Sequence, residues 1–252
     1  MQMTVNVNDI RYAVQKLQVY VADSQNEFPY LNIFADENGG AICATDRNSF
    51  VEVRFDAEVT KTGSCLVGER FDKILINMSD DRAELNLTKS NLLVNGNNGF
   101  KARLAIVGGE DLPRQGIAEK IQSIPYALSA TLLKSQLQSL IRLSDTFPAA
   151  EGMHVPTVKL TFENGEIVGA TQESEIGAIS AMPLAALVPT GEGSVELLYR
   201  TSMLKSLLSL CDNQAQIRVS LSPRDPLYIS DPEHDNWWGM MSGIVKRGQN
   251  AS

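Results

Sequence analysis

Histidine, tryptophan and cysteine are scarce in this chain: two, two and three residues among 252. His154 and His234 stand in the stretches EGMHVP and DPEHDNW, and neither has another histidine or a cysteine close in sequence. A zinc site needs several such ligands at short spacing, so no metal is expected, and DPEHD reads as a solvated turn. Cys43, Cys65 and Cys211 are an odd number without a CxxC pair, as expected of reduced, buried thiols in a cytosolic protein. GxSxG, HExxH, GxGxxG and GxxxxGK(S/T) are all missing. The glycine-bearing stretches VGGED and GEGS are too short for a phosphate loop and lack its lysine. The carboxylate pair Asp80-Asp81 falls at the end of a helical pattern, where a solvated cap is the plain reading. No catalytic residue and no cofactor is therefore expected.

Long hydrophobic runs are missing too. ALSATLL and AMPLAALV fall well short of the ~20 residues that cross a bilayer. MQMTVNVND lacks the basic stretch and apolar core of a signal peptide. Positive charge is in deficit: 22 Lys and Arg against 30 Asp and Glu leave a formal net charge of −8. This excludes a protein coated in positive charge, but not a basic patch on an acidic body. The expectation is a soluble, cytoplasmic protein of two domains.

What the chain does contain is a repeat. Glu37–Thr45 reads ENGGAICAT and Glu163–Thr171 reads ENGEIVGAT, 126 residues apart. Each lies in a stretch of alternating apolar character about a polar turn, as a β-hairpin requires. Each hairpin follows an amphipathic segment. NDIRYAVQKLQVYV places Ile10, Val14, Leu17 and Val21 on one helical face, and SATLLKSQLQSLIRLSDTF does so with Leu133, Leu137, Leu140 and Ile141. Asn8 and Ser129 are the expected N-caps. A second match follows: Gly63–Arg70 is GSCLVGER and Gly193–Arg200 is GSVELLYR, each leading into an apolar helix and further strands. Both halves read β-α-β-β-β twice, an α+β class. The connection GGEDLPRQG at residues 108–116 puts the boundary near 118, giving domains 1–118 and 119–252.

The cations fall on the polar faces of the four helical patterns. Arg11, Gln15, Lys16 and Gln18 lie on the first, Arg70, Lys73 and Asn77 on the second. Lys134, Gln138 and Arg142 lie on the third, and Arg200 and Lys205 on the fourth. Four equivalent helices with Lys or Arg opposite their apolar faces suit sequence-independent contact with phosphates. Solvated helix faces also carry such residues without any ligand.

Ala44-Thr45-Asp46, GSCLVGERFDKILINMSDD before AELNL, and GGEDLP resemble the bacterial sliding clamp, the beta subunit and processivity factor of DNA polymerase III. The likeness covers nearly the whole chain, strongest over residues 37–113. It implies helices lining a ring around double-stranded DNA, with sheets outside. Bacterial clamps close as dimers of three-domain chains. With two domains, this chain resembles the proliferating cell nuclear antigen and phage clamps, which implies a homotrimer, with a dimer as the alternative. The resemblance further implies a pocket where DNA polymerase and clamp loader dock through short peptides. On this sequence its walls are Thr45, Asp46, Arg47 and Phe50 on one side and Met240, Met241 and Ile244 on the other. ATDRNSF stands where the family usually has ATD-Gly-His-Arg-Leu. The readings that compete with a processivity clamp are a clamp-like scaffold recruiting repair factors and an enzyme dependent on His154 and His234.

Overall fold

The computed structural model describes the chain except residues 24–29, 46–47, 69, 108–119, 122, 127, 147–155, 164–165, 172–180, 185–187, 191–194, 212–215, 223–225, 234–235 and 244–252. The chain divides into two compact units, Met1–Ser123 and Ile124–Ser252. The boundary expected near residue 118 lies outside the described residues.

The first unit runs β1 (Gln2–Asn6), α1 (Val7–Asp23), β2 (Leu31–Asp36), β3 (Gly39–Thr45), β4 (Ser49–Phe55) and β5 (Ala57–Lys61). It continues with β6 (Gly63–Val67), α2 (Arg70–Ile76), β7 (Arg82–Leu87), β8 (Asn91–Gly96) and β9 (Lys101–Ala105). Two sheets result, ordered β5-β1-β7-β8-β9 and β4-β3-β2-β6. The second unit runs β10 (Leu128–Leu133), α3 (Lys134–Asp145), β11 (Thr157–Glu163), β12 (Glu166–Thr171), β13 (Ala181–Leu184) and β14 (Val188–Thr190). β15 (Val195–Arg200), α4 (Thr201–Leu208), β16 (Gln216–Leu221), β17 (Leu227–Ser230) and β18 (Trp237–Met241) complete it. Its sheets are β14-β10-β16-β17-β18 and β13-β12-β11-β15. The duplicated β-α-β-β-β order is present, with one strand more per unit than expected. β5 pairs with β1 and β14 with β10, so each extra strand widens the sheet that begins its unit.

The repeated nonapeptide is out of phase with the structure. In the first hairpin Asp36 faces Gly39, and in the second Glu163 faces Glu166. The hairpins thus superpose at an offset of 127, not the 126 at which their ENG triplets align. Since side chains alternate across a strand, one residue of slip exchanges the two faces. Ile42, not Cys43, is therefore the counterpart of Gly169. Gly169 itself lies flush beneath α3: a Cβ there would come within 2.3 Å of a Leu140 methyl. In the first hairpin Ile33, Ile42 and Val53 lie opposite one another in adjacent strands and are all buried. The turn moved by one residue while the apolar row stayed in register, because the core constrains the row and solvent tolerates either turn.

Neither expected cap is observed. Ser129 is paired inside β10, whose six residues all match β16; the completed ladder outweighs an early helix start. α3 begins after Leu133, whose backbone N–H is accepted by Gln136 Oε1 at 3.2 Å. For α1 the capping oxygen is Asn6 Oδ1, which accepts the Asn8 N–H at 2.8 Å.

The core of the second unit holds one polar anomaly. Tyr199 on β15 is fully buried and its hydroxyl has no hydrogen-bond partner. Burial, with Tyr126 nearby as a lesser cause, drives its pKa well above the ordinary tyrosine range. Tyr199→Phe is expected to stabilise the unit by about 1 kcal/mol, since it removes an unsatisfied buried hydroxyl while keeping the ring. Because the folded pKa lies above the unfolded one, the wild type loses stability as pH rises past about 10, where only the unfolded chain ionises. Urea denaturation at pH 8 and 10.5 checks both parts; the alkaline loss should shrink in Tyr199→Phe.

Candidate nucleic-acid interface

In each unit the two helices are tied together by a cation from the first and the C-terminal end of the second. The Arg11 guanidinium, on α1, donates to the Leu75 carbonyl through Nη2 at 2.8 Å and Nε at 3.2 Å, and to the Met78 carbonyl at 2.9 Å. These carbonyls belong to the end of α2, where the ladder supplies no donors and the macrodipole is negative. In the second unit Lys134, on α3, donates through Nζ to the Cys211 carbonyl at 2.7 Å, just beyond α4. The opposite end of that pair is joined by the Ser144 and Thr201 hydroxyls, 2.9 Å apart. Arg11 is the fifth residue of its helix and Lys134 the first, so the same tie is made from different positions.

These ties revise the expected list of phosphate-facing cations. Lys134 is only 5% exposed and its ammonium is spent on a carbonyl, so it does not present charge to solvent. Arg11 is half-buried and committed to three acceptors. Lys16 is 9% exposed, with Nζ 4.6 Å from the centre of the Tyr12 ring. Of the α1 positions Gln15 is exposed and Gln18 half-buried; among the described residues α1 shows no exposed cation. Arg70, Lys73 and Asn77 on α2, Arg142 on α3, and Arg200 and Lys205 beside and on α4 are all exposed, while Gln138 is half-buried. Arg70 opens α2 and Arg200 is the N-cap of α4, where the helix dipole disfavours positive charge. Local stability does not explain those two placements. Arg142 and Lys205 sit in last turns, where the dipole welcomes them.

No family model matches this sequence, and no curated protein matches it. Solved structures do. A DNA polymerase sliding clamp from Pseudomonas aeruginosa superposes with a TM-score of 0.76 at 11% identity, over 98% of this chain and 66% of that one. The DNA sliding-clamp fold is the fold of this chain. The Helicobacter pylori beta clamp, solved with a DNA ligase peptide, gives 0.70 at 16% identity over 97% of this chain and 66% of that one. The PCNA2–PCNA3 complex of Sulfolobus tokodaii gives 0.67 at 12% identity, covering 98% of this chain and 100% of that one. This chain therefore spans about two thirds of the bacterial clamp chains and the full length of the archaeal one.

The residues expected to bind partner peptides are only partly described in this clamp-fold chain. Asp46, Arg47 and Ile244 lie outside the described residues, as do His154 and His234. Thr45 ends β3 and its hydroxyl donates to the Ser49 carbonyl at 2.7 Å. Phe50 is 1% exposed and Met241 fully buried, so neither offers surface to a peptide in this structure. Met240 is half-buried, directly opposite Tyr228 across the β17–β18 ladder. Tyr228 lies between Tyr126 and Trp238, with ring centroids 5.8 Å apart on each side. Three aromatic rings and one methionine thus gather on one face of the second unit. Sequence reasoning found the methionine and missed the rings, which come from three separate segments. Among the described residues no helix is long and apolar enough to cross a membrane and no His, Cys, Asp and Glu cluster could hold a metal.

Proposed function

We propose that the protein is a DNA sliding clamp: a homotrimeric ring that encircles double-stranded DNA and tethers a polymerase and other DNA-processing proteins to it. The observation that carries this reading is the pair of tied helices in each unit, bearing exposed Arg70, Lys73, Arg142, Arg200 and Lys205 on a chain of net charge −8. The cations contact phosphates without reading bases, so binding is independent of sequence and sensitive to salt. The acidic remainder of the surface discourages DNA from adhering elsewhere. Processivity then comes from topological linkage, not from affinity, and the protein acts as a scaffold without chemistry of its own.

Two clamp units per chain, as in the archaeal neighbour of equal length, support three copies per ring. A head-to-tail contact is heterologous and closes only if its rotation matches, here a threefold. The aromatic face with Met240 is the described part of a docking surface for short apolar peptides from polymerase and clamp loader. Methionine suits a surface that receives several partners, and a DNA ligase peptide is what the Helicobacter pylori neighbour holds. Light scattering behind a sizing column tests the assembly. A mass of about 83 kDa, three times 27.6 kDa, is expected; a monomer at every concentration would remove the ring on which the reading depends.

A further inference from the structure

Between α2 and the β8–β9 pair of the first unit runs an open groove of about 720 Å³. Its rim carries Arg70, Lys73 and Arg103, its apolar part is Ile74, Phe100 and Leu104, and no acidic side chain lines it. β9 is the outermost strand of its sheet, so one of its sides is unpaired there and offers a template for another strand. A groove with three cations and no acid, beside an open strand edge, calls for an acidic, partly apolar strand.

The same sequence contains one. Residues 160–199 hold six Asp or Glu and not a single Lys or Arg. The stretch includes β12, β13, β15 and most of β11, and β13, with the apolar sequence AMPL, is the outermost strand of their sheet. We propose that the α2–β9 groove of one copy receives the acidic β13 edge of a second copy, which extends the β9 ladder and neutralises Arg70, Lys73 and Arg103. This rests on the ring reading and specifies its seam. Pro183 within β13 has no N–H to give. The shared ladder is therefore short of a donor, and the charged contacts carry more of the association. The seam should weaken with salt, because exposed charges are screened within a Debye length of about 10 Å at 0.1 M.

Arg103→Glu tests the seam without touching the cations assigned to DNA. The native protein, Arg103→Glu, and a chain combining Arg103→Glu with Glu173→Lys and Glu175→Lys are compared by light scattering across concentration, with melting curves as a check of folding. The expected result is a rise of roughly tenfold or more in the concentration at half-assembly for Arg103→Glu, partly reversed in the compensated chain. Arg103→Gln should fall between. If the native protein assembles and Arg103→Glu assembles equally well, the groove is not the seam and the ring reading stands. If the native protein is monomeric throughout, the ring reading falls and takes this inference with it.

Discussion

Reversing Arg142 and Lys205 to glutamate is expected to weaken association with duplex DNA at least about a hundredfold at 0.1 M salt. Both side chains are exposed on α3 and α4, and a ring of three copies would present six such cations. Each phosphate contact contributes about 0.9 to the slope of log affinity against log salt. Losing several contacts should therefore flatten that slope as well as lower the affinity. The competing explanation is local: both residues lie in last turns, where a cation offsets the helix dipole by about 0.3–1 kcal/mol. The two roles separate cleanly in measurement. A merely structural role predicts lower melting temperatures and an unchanged salt slope, whereas a DNA role predicts a shallower slope even in the neutral Arg142→Gln, Lys205→Gln chain. Fluorescence anisotropy on a duplex across 50–200 mM salt makes the distinction, and an unchanged slope would remove these residues from the interface.

The second large effect concerns Arg11. Arg11→Ala should cost the first unit about 2–3 kcal/mol, because the Leu75 and Met78 carbonyls lose charge-assisted donors. For a unit of this size that is a fall of several degrees in melting temperature. Arg11→Lys should recover only part of it, since an ammonium does not reproduce the guanidinium fork across two carbonyls. A stability loss below 0.5 kcal/mol would mean that solvent satisfies the end of α2 as well as Arg11 does.

Arg11 also marks where sequence reading stopped. Its helix was legible from Ile10, Val14 and Leu17, because helical periodicity is local. The polar face was legible too, and Arg11 and Lys134 were placed there. Their partners were not, since the accepting carbonyls lie 64 to 77 residues away and nothing local distinguishes a tied cation from an exposed one. The hairpins were readable from alternation and their ENG turns, yet the triplets misled by one residue, because an exposed turn can slide where the apolar row of Ile33, Ile42 and Val53 cannot. Ser129 has the chemistry of a cap, but pairing between β10 and β16 decided its fate. The rings at Tyr126, Tyr228 and Trp238 are brought together only by the sheet, so no spacing announced them.

The central claim is that DNA is held by topology. Copies dissociated at low concentration would be mixed with relaxed circular or linear duplex of equal length, concentrated to close the rings, and passed through a sizing column in high salt. The account predicts that protein coelutes with the circle, is absent from the linear duplex, and is released when the circle is cut. Equal retention on both forms, or none on the circle by protein that forms rings in solution, would contradict it.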